Sequence, residues 1–270
     1  MSRTYGLSGH WPLLDLVDAE EENGEKPIDL YERIEMATME IGIKVANDEK
    51  TFIMLLPEIL TVKGPRLFSF ARGLAEGCKD PLAMWQDFCD QLTRIDVGQR
   101  NYQALRGFLC SLSKINIETC EQILNDAVTN EVLNACFPLL QASVDVGKNG
   151  AQRLKQSLEK GLAPIWTYQH LAYGRAHQGI IDDDLCEILK AIASKPDGLA
   201  VAIKILHMRL HMEKVDKLEH SDAIKAIGKD LLSQVVFDRK QDPRGYTDFE
   251  LANIVDMTCP PKTNPQVMLE

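Results

Sequence analysis

The sequence predicts an all-α chain, built as a superhelical array of antiparallel helix hairpins with a period of about 34 residues. Three observations predict it. First, one phrase recurs: Phe68-x-x-x-Arg72-Gly73, Tyr102-x-x-x-Arg106-Gly107, Phe137-x-x-x-Gln141-Ala142, Leu171-x-x-x-Arg175-Ala176 and Ile205-x-x-x-Arg209-Leu210, at intervals of 34, 35, 34 and 34 residues. Second, apolar residues inside each period follow helical spacing. Third, aromatics make up only 6% of the chain, Leu, Ala, Ile, Glu and Lys dominate, and no stretch carries a strong strand pattern. A single hairpin cannot bury its own apolar face, so a period of this length implies stacking on neighbours.

Residues 1–26 read as a lead-in, with Trp11, Leu13, Leu14, Leu16 and Val17 able to dock one short apolar segment, followed by an acidic loop at Glu20–Glu22 and Asn23-Gly24. The repeat domain spans 27–257. Pro27 fits a first helical turn, and the stripe Ile34, Ala37, Ile41 and Val45 carries that helix to about Ala46. Phe52, Leu55, Leu56 and Leu60 give the next helix, stopped before Gly64-Pro65. In the second repeat Tyr102, Leu105, Phe108, Leu109 and Leu112 form one face, and Ile117, Cys120, Ile123, Leu124 and Ala127 another, with Asn116 between them as N-cap. Asp80 caps the return helix of the first repeat, with Pro81 in its first turn, and Asp145–Gly150 separates the helices of the third. Asp182, Asp183 and Asp184 open the return helix of the fourth, where the helix dipole favours negative charge, and Pro196-Asp197-Gly198 closes it.

After Arg209 the chain is expected to turn through Glu213–Glu219. A helix carrying Ala223, Ile227, Leu231 and Leu232, extended by Val235 and Val236, should follow. Asp242-Pro243-Arg244-Gly245 reads as a turn, and Phe249, Leu251, Ile254 and Val255 as a last short helix. Residues 258–270 read as a flexible tail with three prolines in Cys259–Pro265. Its end, Leu269-Glu270, has the form left by a cloning site before a purification tag, so the chain reads as one piece of a longer protein. The expected whole is a right-handed array of about five hairpins between an N-terminal helical cap and a short C-terminal helix.

The chain has 270 residues, 45% of them apolar, ample for a packed core. Net charge is −10; residues 1–50 hold 12 acids and 5 bases, and the remaining 220 hold 28 acids and 25 bases. That balance argues against nucleic acid or an anionic membrane as partner. The most apolar run, Phe52–Leu60, is broken by Pro57 and Glu58 and is far short of a bilayer span. Seven cysteines, none in C-x-x-C spacing, sit mostly inside apolar helical patterns and read as buried free thiols of a cytoplasmic protein.

Candidate site residues begin with the recurring position: Arg72, Arg106, Gln141, Arg175 and Arg209. As a structural ladder, each stem packs between hairpins while its head bonds helix-end carbonyls or a carboxylate such as Glu76, Glu118 or Glu187. As a functional row, they bind an acidic peptide or phosphate. The ladder is favoured, because an array must satisfy such groups repeat by repeat and Gln141 lacks the charge a phosphate row needs. His207 and His211 stand one helical turn apart, as weak metal candidates. The position after His207 is Met208, not the Glu base of a zinc hydrolase. A helical enzyme with a site at His170, His177, His207 and His211 is the alternative function, and a structural or oligomerisation module is a third.

Gly6–His10 lacks the second Gly and the strand of a nucleophile elbow, and Gly147-Lys148-Asn149-Gly150 lacks the spacing and the Ser or Thr of a P-loop. No cofactor is implied. Trp85, Trp166 and Tyr168 read as core residues, with partner anchoring as the other reading.

Gly6-Leu-Ser-Gly-His-Trp-Pro12, Leu105-Arg-Gly-Phe-Leu109, Ala163-Pro-Ile-Trp166, Leu171-Ala-Tyr-Gly-Arg-Ala176 and Ile205-Leu-His-Met-Arg-Leu210 together resemble the C-terminal helical-repeat region of large bacterial P-loop NTPases of the STAND type, many of them linked to anti-phage defence. The resemblance covers residues 6 to 257 and implies a HEAT- or TPR-like solenoid. It implies a sensor that binds a protein partner, such as a phage protein, while neighbouring domains of a longer chain carry ATPase and effector.

Overall fold

In the computed structural model the residues described are 30–235 and 248–259. The lead-in, the turn at Asp242–Gly245 and the tail beyond Cys259 lie outside them. The described residues are helical, with no strand among them. None of their helices is long and apolar enough to cross a membrane. The chain divides into two compact units, Met1–Asp126 and Ala127–Glu270.

The first unit contains α1 (Leu30–Ala46), α2 (Glu49–Ile59), α3 (Leu67–Gly77), α4 (Pro81–Thr93), α5 (Gln103–Ile115) and α6 (Ile117–Ala127), whose last residue marks the division. The starts of α2, α4 and α6 follow capping residues in the sequence. Asp48 accepts from the Thr51 N–H at 3.3 Å, Asp80 from Ala83 at 3.0 Å with Pro81 behind it, and Asn116 from Thr119 at 3.1 Å. α1 packs along α3, and α3 along α5. Between α1 and α3, Glu35 meets Ser69, Met39 meets Gly73 and Ile43 meets Gly77, while Gly42 lies against the Phe70 carbonyl. These contacts rise together along both helices, so the two run parallel, and the first three pairs are each offset by 34 residues. On the other side Phe52 of α2 meets Phe88 of α4 edge to face at 5.6 Å, and Phe88 and Trp85 both reach Phe108 of α5. Phe88, Leu74, Leu92, Leu105, Phe108, Leu109 and Leu112 are fully buried there.

The second unit contains α7 (Phe137–Gln141), α8 (Lys148–Lys160), a 3₁₀ segment Ile165–Ala172, α9 (Asp182–Ala193), α10 (Gly198–Val215), α11 (Asp222–Ser233) and α12 (Asp248–Thr258). α7, the 3₁₀ segment, α10 and α12 form one row of neighbours, and α8, α9 and α11 another, with α9 and α11 both packed on α10.

Four elements differ from the sequence expectation. The first helix of the third repeat is cut to five residues, and that of the fourth is a 3₁₀ segment. The second of these begins at Pro164 and cannot continue past Gly174, whose φ of 61° is left-handed, so Arg175, also left-handed at φ 65°, sits in a turn rather than on a helix. The helix bearing Arg209 does not turn at Glu213 but runs to Val215, because Glu213 is buried and bonded on its inner side. α11 stops at Ser233 without Val235, while the expected last short helix is present as α12.

Candidate functional site

The five positions of the recurring phrase have different surroundings. On α3, Arg72 is half-buried and its Nε is buried with no hydrogen-bond partner among the described residues. On α5, Arg106 donates to Gln103 Oε1 at 2.9 Å and lies over the ring of Phe68 from α3, 5.9 Å from its centroid. Burial pushes its pKa below the usual arginine value. The carboxylates of this unit that bridge repeats go elsewhere: Glu35 accepts from Ser69 at 3.1 Å and Glu76 from Ser111 at 2.8 Å. Glu187, in the other unit, accepts from Lys155.

Gln141 is fully buried and accepts from Arg153 Nε of α8 at 2.8 Å, while its own Nε2 has no partner among the described residues. Arg175 forms an exposed ion pair with Asp216 at 3.3 Å, joined by Gln178 at 3.0 Å. Arg209 is the most connected of the five. Its Nη1 donates to the carbonyls of His177, Gln178 and Ile180 at 3.0, 3.4 and 3.2 Å. Its Nη2 donates to Asp182 at 2.6 Å and its Nε to Glu213 one turn along α10. The guanidinium thereby closes the turn between the 3₁₀ segment and α9, with fixed planar donors matched to carbonyls that no helix satisfies.

The histidines divide between the two sides of α10. His220 shares Glu213 with Arg209, at 2.6 Å. His177 is fully buried beside the same network and bonds the Leu171 carbonyl through Nδ1 at 2.9 Å. A carbonyl only accepts, so Nδ1 carries the proton, and Nε2 is a buried acceptor with no partner among the described residues. Burial pushes the His177 pKa down, helped by the Arg209 and Arg175 charges, against the Leu171 bond and Glu213. His207 and His211 stack on another face of α10, 6.3 Å between centroids, with Phe249 of α12 edge-on to His207 at 6.0 Å. No group of three or more His, Cys, Asp or Glu among the described residues could hold a metal ion.

The cysteines are free. Cys89, Cys120 and Cys136 are buried, Cys78, Cys110 and Cys186 half-buried, and Cys259 exposed. Burial pushes the Cys89 thiol up to about 12 and Cys78 to about 11, so neither is a ready nucleophile.

Two surface features stand apart from these networks. The 3₁₀ segment buries Thr167, Tyr168, Leu171 and Ala172 and turns Trp166 outward, 57% exposed. Trp85 and Tyr168 are core residues as expected; Trp166 is not. Tyr173 is exposed on the same segment's end, edge-on to His170 at 5.6 Å, and Lys204 Nζ donates to its hydroxyl at 2.8 Å. The signal was in the sequence: Tyr168, Leu171 and Ala172 already define the buried stripe, and Trp166 falls two residues outside it. The second feature is an open cleft of about 710 Å³ between α9 and α11. Sequence reasoning also missed Arg153, Glu213 and Asp216 as partners of the phrase residues. Nothing in local spacing links positions that only tertiary packing joins.

Compared with known proteins, the chain matches no family model, no curated protein and no solved structure.

Proposed function

We propose that this chain is a non-catalytic, protein-binding scaffold of helical hairpins, a HEAT- or TPR-like solenoid. We further propose that it is the target-sensing region of a multidomain bacterial defence NTPase of the STAND type. The observation that carries the reading is the parallel packing of α1 on α3, in which Glu35–Ser69, Met39–Gly73 and Ile43–Gly77 are offset by 34 residues, the period of the recurring phrase. Packing in which each element repeats against its successor at the sequence period is the mark of a repeat array, and such arrays serve mainly to recognise proteins. The alternating rows of the second unit fit the same scheme. Trp166 and Tyr173 supply what recognition needs, large aromatic surface left in solvent. The defence assignment rests on the phrases the chain shares with that class.

The experiment has two parts. Sequencing the gene on both sides of this chain should find an upstream frame with Gly-x-x-x-x-Gly-Lys followed by Ser or Thr. The whole gene, expressed in a host challenged with a phage panel, should protect against at least one phage. Trp166→Ala with Tyr173→Ala should abolish that protection, and Val97→Ala, an exposed apolar residue of the other unit, should not. A gene with no NTPase segment, or protection indifferent to the aromatic pair, overturns the sensor reading.

A further inference from the structure

The cleft between α9 and α11 has walls made of two helical stripes. α9 supplies Asp183, Cys186, Glu187 and Lys190, and α11 supplies Ala223, Ala226, Ile227 and Asp230. Both sets follow i, i+3, i+4, i+7, so each is one face, about two turns or roughly 10 Å long. The helices touch where Cys186 Sγ donates to the Ala223 carbonyl at 3.5 Å. Ala223 and Ala226 are too small to fill the space beside that contact, which leaves the groove open. Its floor is apolar, formed by Ala223, Ala226 and Ile227 with the Cys186 thiol, which burial keeps protonated.

Its rim is acidic, three carboxylates against one ammonium. Lys155 of α8 bridges Glu187 to Asp184 and steadies one wall. Asp183 and Asp230, by contrast, make no side-chain hydrogen bond or ion pair among the described residues. A groove of this length, apolar below and negative at the edge, complements a side chain with a long hydrocarbon stem and a positive head.

The geometry points to the α9–α11 groove as a docking site for a basic segment of a partner protein, whose Arg or Lys stems lie on Ala223 and Ala226 and whose heads reach Asp183 and Asp230. It rests on the protein-binding reading and deepens it by naming the chemistry of the partner. Polyanions are repelled by the same rim, and an acidic peptide meets only Lys190.

The test uses the full chain labelled with ¹³C at Ala and Ile methyl groups. The probe is the peptide acetyl-(Leu-Arg)₄-amide, with acetyl-(Leu-Glu)₄-amide as control. The methyl signals of Ala223, Ala226 and Ile227 should shift and saturate with the basic peptide and stay still with the acidic one. Asp183→Asn combined with Asp230→Asn should weaken binding about fivefold, as expected for two exposed charge pairs. Glu40→Gln, an exposed acid of α1, should leave it unchanged. Both substituted groups are exposed, and an otherwise unaltered methyl spectrum verifies the fold. Shifts scattered over other surfaces, or a dissociation constant indifferent to Asp183 and Asp230, overturn the proposal. That failure is separable from failure of the sensor reading, which is read through Trp166 and Tyr173 in phage protection.

Discussion

The same phrase does two kinds of work in the two units. In the first, the residue after the arginine is glycine, and backbone approaches backbone there. A Cβ on Gly73 would lie 2.0 Å from the Met39 carbonyl oxygen, and one on Gly107 2.1 Å from that of Phe68. In the second unit that position holds Ala142, Ala176 and Leu210, and the polar residue before it becomes the connector, Gln141 to Arg153 and Arg209 to the turn ahead of α9. A recurring sequence phrase can thus persist along the chain while the force acting there changes from close packing to charge-assisted hydrogen bonding.

The sharpest way to break this comparison is to add a methyl group where helices touch. Gly73→Ala with Gly107→Ala should cost the first unit about 4 kcal/mol, since overpacking against backbone has no flexible side chain to absorb it. Hydrogen exchange should show amide protection lost from α1, α3 and α5 while α9 and α10 keep theirs. Equal loss in both units would mean that the glycine contacts are not what distinguishes them.

In the second unit the corresponding weak point is Arg209, whose side chain is only 12% exposed. Arg209→Met keeps the stem but removes the donor from Asp182 and from the Gln178 and Ile180 carbonyls, and leaves Glu213 only His220 and the His177 carbonyl only the Ile180 N–H. The expected loss is about 3 kcal/mol in urea unfolding, mostly the cost of stranding buried acceptors. Arg209→Lys should recover little, because one ammonium cannot span carbonyls and both carboxylates. Arg175→Met, which removes an exposed pair, should cost under about 1 kcal/mol. If Arg175 and Arg209 prove equal, the buried turn is not held by the guanidinium.

His177 sharpens the same point through pH. Its folded pKa lies below the ordinary 6.5, so the stability it contributes is complete above pH 6.5. As pH falls from there the unfolded chain takes up the proton first, and stability is lost until the folded pKa is passed. One such group gives a slope of at most about 1.4 kcal/mol per pH unit. His177→Gln should flatten that acid limb by up to one proton, read from unfolding curves between pH 7 and 5. His207 is shifted the same way by partial burial, so His207→Gln should flatten it less. An unchanged slope in His177→Gln would place the acid sensitivity outside this network.

The sequence was most informative where local chemistry decides the outcome. Asp80 with Pro81 and Asn116 start helices as expected, because an N-cap acts on the next turn. The apolar stripe of α5 is buried as spaced. Legibility fails where an outcome depends on partners distant in the chain. The Glu35–Ser69 and Glu76–Ser111 bonds lie 34 and 35 residues apart, and no local pattern favours them over the arginines. The 3₁₀ segment carries the same phrase as the α-helices, but Pro164 and Gly174 bound it too closely for a full helix. The candidate surfaces were the least legible. Asp183, Glu187 and Lys190 look like any solvated helix face until α11 is set opposite them.

The smallest expected effect is also the one that separates surface from core most cleanly. Trp85 and Trp166 are the same residue type, one per unit, and were both read as core. Trp85 is 7% exposed and packs on Phe88 and Phe108, so Trp85→Ala should cost about 3 kcal/mol. Trp166 has no such aromatic shell among the described residues, and Trp166→Ala should change unfolding stability by less than about 0.5 kcal/mol. Its fluorescence, isolated in a Trp11→Phe, Trp85→Phe background, should sit at the red emission of a solvated indole and be quenched readily by iodide, whereas Trp85 alone should emit blue and resist it. A large tryptophan that can be removed without loss of stability is surface area the fold does not need. A measured cost near that of Trp85 would return Trp166 to the core and remove the aromatic face from the recognition argument.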